Sequence, residues 1–410
     1  MTNVPEIRFD GFADAWEQRK LGEIADLVDG DRGKNYPTGE DFHSQGHTVF
    51  LSAANITKNG FSFESNQFIS EEKSDVLGSG KLQLNDVVIT SRGSLGHVAW
   101  YNEDAHQQAP FSRINSGMLL LRSKEDFEPS FIEQLLKSPI GQKQINLISF
   151  GSAQPQLTKR DITNYYASFP TKPEQIHIGN FFRTLDTTIT LYKRKLDGLK
   201  RLKSAYLQQT FPQTGESVPR VRFEGFSDAW RTKNANEIFC AISEKGHSDL
   251  PVLSASQEYG MVLRDEIGID IKFDSTNIAT YKRVMPGQFV IHLRSFQGGL
   301  AYSNVEGITS PAYTILDFAD KGSHVPEFWI DVLKSDRFIK MLESVTYGIR
   351  DGRSISFNDF SILQLSYPQR DEQIAISKFF RGVDNNITEL QTKLDSLANL
   401  KSVYLSKMFI

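Results

Sequence analysis

Glu174–Phe211 reads EQIHIGNFFRTLDTTITLYKRKLDGLKRLKSAYLQQTF, and Glu372–Phe409 reads EQIAISKFFRGVDNNITELQTKLDSLANLKSVYLSKMF. The two stretches align without a gap at a constant offset of 198 (372 − 174), and about half of their positions are identical. Internal repetition decides architecture before any local feature does. This period is far longer than a solenoid unit, so it marks a duplicated half-molecule. Within the first copy, apolar residues fall at Leu185, Ile189, Tyr192, Leu196, Leu199 and Tyr206. The second copy has Val383, Ile387, Leu390, Leu394, Leu397 and Tyr404. Steps of three and four residues predict two long helices joined along a coiled-coil seam. Lys203 and Lys401 interrupt that seam, with Leu202 and Leu400 beside them, as in a stripe that drifts with a 3.6-residue helix. Pro173 suits a first helical turn, Glu174 and Glu372 favour the positive helix end, and Pro212 stops the first helix.

A second repeat opens each half. Val4–Trp16 (VPEIRFDGFADAW) returns as Val218–Trp230 (VPRVRFEGFSDAW). Between each opening segment and each helix lies a long stretch of short apolar runs broken by Gly, Asn, Asp and Ser. These two stretches, about 17–170 and 231–369, resemble each other far less than their flanks do. Strands are expected at Thr48–Leu51, Val87–Thr90, His97–Trp100 and Met118–Leu121, and helices at Pro129–Lys137 and Gly141–Ile148. In the second half, strands are expected near Pro251–Ser254, Gln288–Leu293 and Tyr313–Leu316, with one helix from Pro326 to Leu342. The fold class that follows is α+β: two globular α+β domains joined by two long antiparallel helices with an internal pseudo-two-fold. The expected domains are 1–172, the helix 173–211, a linker 212–217, a second domain 218–370 and the helix 371–410.

Composition excludes several classes. The single cysteine, Cys240, rules out a disulfide framework or a cysteine zinc site. No apolar run approaches the roughly 20 residues that span a membrane, and MTNVPEIRFD shows no leader pattern, so a cytoplasmic protein is expected. The net charge of −4 argues against a uniformly basic nucleic-acid binder while leaving local patches open. Gly78-Ser79-Gly80-Lys81-Leu82 looks superficially like a phosphate loop, but it lacks the leading glycine and places Leu82 where a hydroxyl would bind magnesium. No HExxH, no HxE…CxxC pairing and no Asn- or Asp-Pro-Pro-aromatic tetrad occurs, so no catalytic residues and no metal ligands are assigned.

Two alike halves with divergent globular parts suit a molecular ruler. A helix of roughly 38 residues is about 57 Å long, more than one turn of DNA at about 34–36 Å. The chain resembles the specificity subunit of Type I restriction-modification enzymes. The resemblance rests on the duplicated E-Q-I…F-F-R…D…K-S-Y-L…F helix, the R-F-G-F-D-A-W segment, the LSAANIT…NDVVITSRGSLG region and the GSAQPQLTKRDI stretch, and it spans essentially the whole chain. It implies a non-catalytic subunit whose two target-recognition domains each read half of an asymmetric split site on double-stranded DNA. It further implies two modification (methyltransferase) subunits that methylate adenine, and motor-nuclease restriction subunits. S-adenosylmethionine, ATP and Mg would then sit on those partners and not on this chain. Rival readings are a stand-alone nuclease with an unrecognised site, a coiled-coil scaffold for proteins, and an orphan subunit lending its specificity to another locus's enzyme.

Lys and Arg on phosphates give affinity, while Arg, Asn, Gln, Ser and Thr read base edges. The first-half candidates are Arg32, Lys34 and Asn35, in a loop where Gly30 and Gly33 allow close approach, then Ser52 and Asn55, Ser91, Arg92 and Ser94, and Gln154 and Gln156. The second-half candidates are Ser254, Ser256 and Gln257, Arg294, Ser295 and Gln297, and Arg350 with Arg353. The matched strand–Arg loops at Arg92 and Arg294 are the strongest. The basic run Lys193-Arg194-Lys195, Lys200-Arg201 and Lys203 is poorly repeated in the second helix, so it is read as a solvated or partner-facing surface.

Overall fold

The computed structural model describes residues 4–149, 155–213, 215–257, 259–267, 275–345 and 355–410. The two repeated stretches are continuous helices, Lys172–Thr210 and Arg370–Lys407. The chain divides into two compact units, and the division cuts both helices: unit 1 is Met1–Lys195 with Leu390–Ile410, and unit 2 is Leu196–Glu389. Each unit therefore holds one globular domain, the start of one long helix and the end of the other. Among the described residues no helix is long and apolar enough to cross a membrane.

In unit 1 the helix segments run antiparallel. Phe181 meets Tyr404 edge to face at 5.0 Å, and further along Lys401 Nζ stands 2.6 Å from Asp186 Oδ1. Unit 2 repeats this with Tyr206 on Phe379 at 5.4 Å and Lys203 Nζ 2.7 Å from Asp384 Oδ1. All twelve expected seam residues are buried or half-buried, with Leu196, Leu390 and Leu394 the most enclosed. The seam lysines are thus explained: each reaches an aspartate on the opposing segment, and the two ion pairs occupy equivalent places in the two repeats. Helix ends are anchored by aromatic packing. Phe409 joins Trp16, Phe131 and Phe182 in the core of unit 1, while Phe211 joins Trp230, Phe328 and Phe380 in unit 2.

The two sequence repeats in each half belong together physically. Arg8 grips Glu174 through two parallel bonds of 2.7 Å, and Arg222 grips Glu372 in the same way. The neighbouring glutamines, Gln175 and Gln373, accept the N–H of Glu128 and of Val325, each next to the proline that opens a core helix. The E-Q dipeptide thus ties the long helix to the opening segment through Glu and to the globular domain through Gln.

Each domain is built on a four-stranded antiparallel sheet. In unit 1 the order is Ala25–Asp29, Met118–Ser123, Val87–Thr90, Val98–Trp100; in unit 2 it is Phe239–Ile242, Thr314–Phe318, Phe289–Ile291, Ala301–Tyr302. The run Val87-Val88-Ile89 is fully buried because both sheet faces are covered. Val87 and Ile89 face the core shared with helix Pro129–Lys137, and Val88 faces a second core that includes Val49 and Leu51 of strand Thr48–Leu51. That strand pairs in parallel with Ser112–Ile114. One expected element differs: the single helix over 326–342 is two helices, Pro326–Lys334 and Asp336–Ser344. Ser335 makes the break, since its hydroxyl accepts from Phe338 N–H and caps the second helix. Asp161 and Asp359 serve capping boxes with Thr158 and Ser356.

Candidate nucleic-acid interface

The sheet register decides which loops meet. In unit 1 Asp29 pairs with Leu119, and Thr90 pairs with Met118. The loop after Asp29, the loop after Thr90 and the turn Asn115–Gly117 therefore leave the same end of the sheet. Leu51 pairs with Ile114, so Ser52 and Asn115 also leave side by side. Side chains confirm the gathering. Arg32 donates to Ser116 O at 3.0 Å, Arg92 Nε donates to Gln156 Oε1 at 3.1 Å, and a Cβ on Gly93 would lie 3.8 Å from that of Ala53. Arg32, Lys34, Arg92, Ser94 and Gln156 are exposed there.

The loop carrying Arg32 and Lys34 is fixed by Asp31. Its carboxylate accepts the N–H groups of Gly33 and Gly78, and these bonds, the one from Gly33 foremost, hold it below the usual carboxylate range. The same contact disposes of the phosphate-loop likeness at Gly78–Leu82, because a carboxylate of the chain already takes the Gly78 N–H. Gly30 is needed for packing: a Cβ there would collide with Asn115 O.

Several first-half candidates are built into the loops. Asn55 is buried, and its amide donates to Ser62 O and Ser65 O while its oxygen accepts from Ser52 N–H and lies 3.2 Å from Ser52 Oγ. Ser52 and Asn55 thus close a single turn, and Asn55 has no face left for a base. Ser91 is buried, its N–H donated to Gly117 O. Asn35 donates to Val76 O. Gln154 lies outside the described residues, as do Arg350 and Arg353 of the second half.

Unit 2 gathers the equivalent loops. Ile242 pairs with Ile315 and Ile291 with Thr314, so the segments after Ile242 and after Ile291 emerge together beside Tyr313. Arg294 and Gln297 are exposed, and Gln257, which follows strand Leu253–Ser256, lies 3.5 Å from Gln297. Ser254 accepts from Arg264 at 3.3 Å, and Ser256 Oγ accepts from Tyr259 N–H. Ser295 is buried, as Ser91 is, and ties the turn instead of facing outward.

Three cations at this end escaped the sequence reading. Lys245 and Lys282 sit on bridged antiparallel segments, and Lys282 also donates to Tyr313 O at 2.7 Å. Burial, and then the charge of Lys245, lower the Lys282 pKa. Arg264 lies close enough to Tyr313 for its charge to act on that phenol, as Arg294 does. These residues are scattered in sequence and only strand pairing brings them together. Their one sequence signal was the short strands around them, which periodicity alone did not resolve.

The family model for the Type I restriction modification DNA specificity domain matches residues 13–201. Over those residues the chain is similar to that specificity domain. Its fold is similar to that of the Type I restriction-modification S subunit from M. genitalium, with a TM-score of 0.62, 15% identity and 99% of each chain covered. A chain from a structure of type I R-M complex assembly and conformational transition matches with a TM-score of 0.53 and 17% identity, over 96% of this chain and 97% of that one. No curated protein matches the chain in sequence. The matched region spans the first domain together with most of the first long helix.

Proposed function

We propose that this chain is the DNA specificity subunit of a Type I restriction-modification system, and that each domain reads one half of an interrupted, asymmetric DNA site through the loops at one end of its sheet. The observation that carries this reading is the recurrence of one arrangement in both units: an exposed arginine two or three residues beyond a central strand, beside a polar segment leaving a neighbouring strand. In unit 1 these are Arg92 with Ser52 and Gln156, and in unit 2 Arg294 with Gln257 and Gln297. A guanidinium fork matches guanine O6 and N7, and glutamine matches adenine. The surrounding side chains differ between the units, so the two half-targets differ.

The paired long helices set the distance between half-sites and dock two modification subunits, which methylate adenine within the bound site; motor-nuclease subunits join for restriction. S-adenosylmethionine, ATP and Mg belong to those partners, and the subunit alone is not catalytic. Exchanging residues 17–170 for those of another specificity subunit tests the modular reading. The hybrid, assembled with its modification subunits, is expected to methylate sites altered in one half only. Alteration of both halves, or of neither, would refute it.

A further inference from the structure

The turn His292–Ser295 presents a different pair of side chains from its counterpart in the first domain. Ser295 N–H donates to His292 O at 3.0 Å, Ser295 Oγ accepts from His292 N–H at 2.9 Å, and Arg294 N–H points to His292 Nδ1 at 3.3 Å. His292 and Ser295 are buried, and so anchor the turn. Burial lowers the His292 pKa to about 4, which keeps the ring neutral and Nδ1 able to accept. The two corner residues, Leu293 and Arg294, are left exposed next to each other.

In the first domain the residue before the arginine is Ser91. It is 1% exposed, with its N–H donated to Gly117 O and its carbonyl accepting from Leu157 N–H. Leu293 is 56% exposed at the same place. Turn corners usually carry Gly, Pro, Asn, Asp or Ser, and nothing in the hydrogen bonding of this turn calls for a leucine. What the leucine adds is an apolar group fixed beside a guanidinium.

We propose that Leu293 is a specificity-determining residue of the second domain, packing on the C5 methyl of a thymine adjacent to a guanine held by Arg294. Only thymine shows a methyl group in the major groove, and guanine offers the two acceptors that suit arginine. Consecutive Cα atoms lie about 3.8 Å apart, close to the spacing of about 3.4 Å between base pairs. Neighbouring corners of one rigid turn therefore reach neighbouring bases. The assignment rests on the second domain being a half-site reader.

The test uses the full chain assembled with its modification subunits and duplexes carrying the methylated site. Each thymine of the second half-site is replaced in turn by deoxyuridine, which removes the methyl alone. One replacement, next to a guanine, is expected to weaken binding about four-fold, the effect of one buried methyl. Leu293→Ser should bind the thymine and uracil duplexes equally, whereas Leu293→Met should keep the preference. The inference is overturned if every replacement affects the native protein and Leu293→Ser alike, or if the second half-site has no thymine. Absence of any sequence preference in the native complex would instead overturn the half-site reading itself.

Discussion

Lys203 on the first long helix holds Asp384 on the second with both carboxylate oxygens 2.7 and 2.8 Å from Nζ, and Asp331 of the core helix Pro326–Lys334 lies 3.9 Å from the same nitrogen. One cation thus serves two acids in unit 2. In unit 1 the corresponding trio is Lys401, Asp186 and Gln134, with an amide in place of the second acid. Burial pushes Asp331 up to about 6, against the pull of Lys203; Asp384 acts with the burial, and Lys334 and Arg381 against it.

An acid whose folded pKa lies above its unfolded value costs stability once ionised, so its penalty is present above about pH 6 and is relieved as pH falls toward 4. Asp331→Gln, which copies Gln134, is expected to raise the melting temperature at pH 8 and to lose that advantage near pH 4. A gap between variant and native protein that stays constant with pH would contradict the assignment.

Glu174 and Glu372 have fully buried side chains, each held by one arginine, and Glu372 also accepts from Trp230 Nε1 at 3.4 Å. Removing the arginine leaves a buried carboxylate without its charged partner, at a cost of about 3–5 kcal/mol. Arg8→Ala and Arg222→Ala are each expected to lower thermal stability by that amount, measured by calorimetry or denaturant melts. Lysine at either position should recover only part of the loss, because it cannot make the paired bonds.

Lys245 and Lys282 should act on phosphates. Alanine at Lys245 is expected to weaken binding to every DNA sequence by the same factor and to reduce the slope of log K against log salt by about 1. Salt titration of binding to specific and unrelated duplexes measures this. Loss confined to one sequence would show that the lysine reads bases.

Matched insertion of one heptad into both long helices keeps the seam in phase and adds about 10 Å at 1.5 Å per residue. The unread spacer is then expected to lengthen by about 3 base pairs at 3.4 Å each, with both half-sites unchanged. A spacer of native length would mean that the helices do not set the separation.

The long helices, the antiparallel seam and the inner strands of each sheet were legible from repetition and from short apolar runs. Three things were not. The purpose of Lys203 and Lys401 depended on Asp384 and Asp186, which lie far away in sequence. Asn55, Ser91 and Ser295 resemble base readers because polar residues beyond a strand are also those that close turns; turn bonds take the side chains of Asn55 and Ser295, and burial keeps Ser91 from the surface. Lys245 and Lys282 stand as isolated cations in the sequence, and only an antiparallel bridge assembles the pair.

The most direct measurement is genome-wide methylation profiling with Arg92→Ala and Arg294→Ala, each assembled with its modification subunits. A lost bidentate contact costs about 1–3 kcal/mol of discrimination at one base pair. Arg92→Ala is expected to relax one position in one half-site, and Arg294→Ala one position in the other, with the spacer and the remaining bases intact. Relaxation of both half-sites by either variant, or unchanged profiles for both, would contradict the assignment of one half-site to each domain.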